Sequence, residues 1–266
     1  MKELVRLTKK LVQLTRELVR LMRTELLKMR RTFLYGMHIG APVLGSLIFV
    51  LYYSVSGWNE IAQISGFVEI IGIALPFAVS LVCAGNVGLE EENHFQTFLG
   101  CAVHKWNAFL AKWLTLLGMC FLTVLAAVLL FGAGFRWGIE KTGLPFADYS
   151  ILAVTLCAGS APLYLEHLFL NLRFTKSVSL SVGVAQFLLS SLFLTGLGDG
   201  RWQFFPCTWS SRGVLEVLTY MTKRELKDVL AVEMRNSLVI CVLLLTVVYA
   251  IIRARFHFYE GRQCND

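Results

Sequence analysis

Residues 90–112 read EEENHFQTFLGCAVHKWNAFLAK, a polar and amphipathic insert between two runs that are nearly all apolar. Three acids open it, Glu90, Glu91 and Glu92, where carboxylates complement the positive end of a helix dipole. Phe95, Phe98, Leu99, Ala102, Trp106, Phe109 and Leu110 follow at spacings of three and four, the pattern of a helix lying along a surface. Gly100 divides the run into two short helices or one bent one, and Lys105 and Lys112 come late in it. A solvated connector would share this composition, so the flanking segments decide what the insert is.

Those segments belong to a membrane. The chain has 266 residues, 56% hydrophobic and only 16% charged, which predicts an all-α, polytopic membrane protein. Apolar runs at about 34–55, 67–88, 113–135, 151–172, 178–197 and 237–252 give six transmembrane helices. Six Trp and nineteen Phe suit aromatic belts at the membrane boundary. No short apolar core followed by a small-residue cleavage site opens the chain, so no cleaved signal is expected. Seven cysteines, mostly inside predicted spans and never as CxxC, read as small buried hydrophobes and exclude a zinc ribbon or disulfide frame. His38, His104 and His167 are too dispersed to predict a metal cluster.

The formal charge of +7 is concentrated in residues 1–31, which hold ten Lys/Arg against Glu3, Glu17 and Glu25. Residues 1–23 form a first unit, repeating as ELVRLTK, KLVQLTR and ELVRLMR. Leu4, Leu7, Leu11, Leu14, Leu18 and Leu21 form its apolar stripe, with Lys and Arg opposite. Near-identity in every heptad exceeds what amphipathicity requires, so this unit is either appended or idealised by design, or a natural basic helix lying on an anionic leaflet. Residues 24–266 form the second unit, entered through TELLKMRR, a juxtamembrane anchor.

Polar residues inside the spans are few. Glu69 lies near one end of the second span, which also holds Pro76, and reads as interfacial or, less simply, ion-coupling. Glu166 and His167 lie in the fourth span about 100° apart around the helix, so they share no face; a polar span end and a proton relay are the two readings. The longest loop, from Gly198 to about Asn236, contains RWQFFPCTW, the amphipathic patch GVLEVLTYM and the charged helix candidate TKRELKDVLAVEMR. With the N-terminus inside, seventeen Lys/Arg fall inside and eight outside, which places residues 90–112 and both termini in the cytoplasm and the aromatic loop outside.

The ELLKMRR approach, six spans, the acid-led insert EEENHFQTFLG after the second span, and the tail RFHFYEGR together resemble the permease subunits of type-2 ABC exporters. Within that class the chain is most similar to the lantibiotic-immunity permeases of Gram-positive bacteria. The likeness covers about residues 24–266 and rests on order and spacing. It implies that the insert is a cytoplasmic coupling helix docking on a separate ATPase, with Glu90, Glu91, Glu92, Phe95, Gln96 and Phe98 as contacts. Glu25, Lys28, Arg30 and Arg31 would form the interfacial elbow. It further implies a plasma-membrane location, two copies of an ATP- and Mg-bound ATPase, a second permease identical or related, and a cationic antimicrobial peptide as substrate. Trp202, Phe204, Phe205 and Trp209 would offer that peptide apolar and cation-attracting faces outside the cell; an ordinary aromatic belt is the alternative. No GxxxxGK[ST] segment occurs here, so the chain has no P-loop of its own and the permease is not itself an enzyme.

Two other classes compete. An intramembrane protease of the Glu-Glu-xxx-Arg kind would use Glu91 and Glu92, but Gln96 stands where its arginine belongs. A non-transporting membrane scaffold would use the heptad helix to recruit partners.

Overall fold

The computed structural model describes residues 2–91, 95–100, 102 and 104–259. All regular structure among them is helical, and six helices are long and apolar enough to cross a membrane. In chain order the helices are α1 (Lys2–Met29), α2 (Phe33–Val55), α3 (Glu60–Glu91), α4 (Gln96–Gly100), α5 (Lys105–Ala133), α6 (Phe146–Arg173), α7 (Lys176–Phe193), α8 (Trp209–Thr222) and α9 (Lys227–His257). All but α1, α4 and α8 are the spanning candidates. A π-turn at Gly134–Gly138 extends α5.

Several spans outrun their apolar cores, whereas α7 stops at Phe193, short of the expected 197. α3 begins seven residues before the predicted span because its polar first turns find partners across the loop that follows α5. Gln63 is fully buried and accepts from Lys141 Nζ at 2.6 Å, while Glu60 accepts from the backbone N–H of Gly143 at 3.2 Å. Likewise the charged segment before the sixth apolar run is not a separate helix: α9 starts within it at Lys227 and continues through the apolar run for 31 residues in all.

α3 and α6 form the centre. α5 packs on α6 with α2 outside it, α7 packs on α3, and α9 lies along α6. Lipid is as apolar as the helix surfaces, so such bundles are held by close fit and internal polar bonds rather than by expulsion of water. Both kinds of contact appear. Phe67 and Phe131 stack with ring centroids 4.0 Å apart at the end of the bundle where α3 starts, called the far end below. At the opposite, base end, Phe256 meets Phe98, Phe109 and Tyr259.

The long predicted loop is the main correction to the sequence reading. Much of it folds back into the bundle instead of lying free: α8 packs against both α3 and α6. Two glycines make room. A Cβ on Gly72 of α3 would lie 2.5 Å from Ser211 Cα, and one on Gly159 of α6 would lie 2.5 Å from Ser210 N. The serines of α8 then bond inward, Ser210 Oγ to Leu156 O at 2.9 Å and Ser211 Oγ with Ser190 Oγ at 2.9 Å.

Candidate functional site

Lys112 lies two turns inside α5 and its side chain has no exposed surface. An ammonium there must find partners for all three protons. Nζ donates to Glu25 Oε2 at 2.6 Å, to Asn86 Oδ1 at 2.8 Å and to Glu90 Oε1 at 3.0 Å. The Phe98 ring of α4 lies 5.7 Å from the same ammonium. Lys28 of α1 donates to Glu25 Oε1 at 2.9 Å and Glu90 Oε1 at 2.7 Å. Two carboxylates and two ammonium groups thus form a closed, neutral cluster that fastens α1 to the end of α3 and the start of α5.

The expected coupling residues divide into anchors and an exposed remainder. Glu90 and Phe95 are buried, at 1% and 0% exposure, and so is Phe98, so these three hold the insert to the bundle rather than present it to a partner. Glu91 Oε2 pairs with Lys176 of α7 at 3.0 Å and is partly covered. Gln96 and Gly100 are exposed; Glu92 lies outside the described residues. The break expected at Gly100 is where α4 ends, and the second half of the insert is the first two turns of α5. Phe95 enters α4 with φ of 57°, a left-handed conformation uncommon outside glycine, fixed by its buried ring. In the expected elbow, Arg30 and Arg31 are exposed, whereas Glu25 and Lys28 turn inward to the cluster.

Burial alone would push the Glu25 carboxyl upward, but Lys112 and Lys28 outweigh it and hold the group below the usual carboxylate range. Burial would lower the Lys28 ammonium, yet Glu25 and Glu90 carry it above the ordinary lysine value. The signs follow from linkage. The contribution from Glu25 is full above its unfolded value of 4.5 and is lost as pH falls through the lower folded value. That from Lys28 is full below 10.5 and is lost as pH rises through its higher folded value. A dye on Thr15→Cys is therefore expected to show constant anisotropy between about pH 5 and pH 10 and to loosen on either side.

The acid and histidine of the fourth span do meet, through a third residue. Gln186 of α7 donates from Nε2 to Glu166 Oε2 at 3.0 Å and accepts at Oε1 from His167 Nε2 at 2.9 Å. Ser179 Oγ lies 2.9 Å from His167 Nδ1 and accepts from Asn171 Nδ2 at 2.7 Å. Both ring nitrogens of His167 are thereby satisfied by neutral groups, the arrangement of a structural link between α6 and α7. Ser65 Oγ donates to Glu69 Oε1 within α3.

At the far end, the four expected substrate-contact aromatics do not share a surface. Trp202 and Trp209 are buried and pack with Phe193, because Trp209 Nε1 finds Gln203 O at 2.9 Å inside the fold. Phe204 and Phe205 remain exposed, at 59% and 38%. The two tryptophans back a mostly apolar cleft of about 480 Å³ between α6, α8 and α9, whose lining includes Glu216, Arg235 and Leu245. The Lys112 cluster was not foreseen, although a lone lysine directly before an unbroken apolar run is the signal that could have revealed it. Comparison of the chain with protein families, curated proteins and solved structures found no match.

Proposed function

We propose that the chain is the permease subunit of an ATP-driven type-2 ABC exporter that removes cationic antimicrobial peptides from a Gram-positive plasma membrane, with both termini cytoplasmic. The observation that carries this reading is the base end itself. α4 hangs between two spanning helices, with Phe95 and Phe98 holding it to the bundle while Gln96 and Gly100 face outward. A force on that short helix reaches α3, α5 and α1 together through the Lys112 cluster. A separate ATPase closing on nucleotide would press there and shear the bundle. Phe204, Phe205 and the cleft behind Trp202 provide apolar surface for the peptide at the other end.

The test is reconstitution with the cognate ATPase and Gln96→Arg. The side chain is exposed, so folding should survive, while peptide-stimulated ATP hydrolysis should fall about tenfold, the effect of roughly 1.4 kcal/mol at a contact. A variant that assembles and couples like the wild type would remove α4 from the role of coupling helix.

A further inference from the structure

A second feature of the base end has no part in the coupling scheme. A cleft of about 530 Å³ opens between the start of α5 and the end of α9, lined by His104, Lys105, Trp106, Arg253, Phe256 and His257, with Asn107 completing it. Arg253 and His257 are four residues apart, on one face of α9, and both are exposed, as are His104 and Lys105. No carboxylate lines the cleft among the described residues. Lys105 Nζ donates to Tyr259 O at 2.8 Å, an uncharged partner. Phe256 is buried and Trp106 half-buried, with Trp106 Nε1 bonded to Tyr249 Oη at 3.2 Å, so the cations sit over an aromatic floor. On the other side of His104 a second cleft is lined by Arg16 and Arg20 of α1 together with Glu17, and the carboxylate of Glu17 accepts from Asn107 Nδ2 at 3.0 Å.

We infer that the cleft between α5 and α9 binds the phosphate headgroup of an anionic phospholipid. Both helices that form it are long and apolar enough to span the membrane, and the cleft lies at the end of each, where headgroups lie. A basic pocket between spanning helices at that depth attracts anionic lipid with about 1 kcal/mol per cation. The aromatic floor suits the same depth, since tryptophan concentrates at the boundary between headgroup and hydrocarbon.

The test uses the full chain in neutral-detergent micelles carrying equal phosphatidylglycerol and phosphatidylcholine, with retained lipid counted by native mass spectrometry. Wild type should retain phosphatidylglycerol preferentially, and Arg253→Gln should weaken that preference about fivefold, matching the loss of one cation. Arg255→Gln removes the same charge from the same helix outside the cleft and should leave the preference unchanged. Equal losses from both variants would mean a diffuse positive surface and overturn the site. Displacement of phosphatidylglycerol by inorganic phosphate, with chloride inert at equal ionic strength, would reassign the cleft to free phosphate and overturn the lipid. Should Arg253→Gln melt differently from wild type in phosphatidylcholine, Arg253→Lys decides: retained preference supports the site, and loss with the fold intact refutes it.

Discussion

Lys112→Met should destabilise the protein by about 3–5 kcal/mol, the range for stripping one partner from a buried ion cluster. The loss does not come from missing volume, because methionine fills most of the lysine channel. It comes from Glu25 and Glu90, both nearly inaccessible to water, which would keep two negative charges against Lys28 alone. Asn86 Oδ1 would also lose its donor. Adding Glu25→Gln and Glu90→Gln to Lys112→Met removes the charges the pocket cannot compensate, and Lys28 is exposed enough, at 28% of its side chain, to turn to water. Most of the stability should therefore return in the triple variant. Thermal unfolding in micelles compares the two, and equal losses would show that packing around Lys112, not charge balance, holds the base end.

Gly159→Ala should cost about 3 kcal/mol, at the upper end for an overpacked site. The added Cβ would meet Ser210 N at 2.5 Å and Ser210 Cα at 2.7 Å, and backbone cannot swing aside as a side-chain tip can. The whole of α8 must move, breaking the bond from Ser210 Oγ to Leu156 O. Gly118→Ala is the control, since nothing lies within 4 Å of its Cβ position. A matched pair of melting curves, together with the alkylation rate of buried Cys207 at the entry to α8, checks the result. Equal stability of the two variants would mean that the fit of α8 between α3 and α6 is loose.

The spans were legible because unbroken apolar length is a strong local signal, and all six appear where the sequence puts them. Their ends were not legible in the same way. Gln63 and Glu60 look like loop residues until Lys141 and the N–H of Gly143 stand beside them. α8 was missed as a packed element because its entry, WSSRG, is polar in sequence; only the empty space over Gly72 and Gly159 makes those serines interior. In the insert Phe95, Phe98 and Phe109 are buried as the apolar period expects, but Glu90 is buried with them. Glu90 looked like an outward acid at a helix start and is instead bound to Lys112, 22 residues onward. Which charge finds which partner is set by tertiary approach, and periodicity does not contain it.

Only 11% of the apolar window of α9 is buried, against 72% for α6. It is held along one stripe, from Ser237 bonded to Gln203, through Cys241, Leu244 and Leu245 beside the Trp202 and Trp209 cluster and Tyr249 against Trp106, to Phe256 against Phe109 at the base. A rod fastened along a single stripe, with its other sides uncovered, tilts about that seam at less cost than a helix gripped all round. Sideways strain on the molecule should therefore collect in this last crossing, which can swing on that seam while α3 and α6 keep their mutual seating.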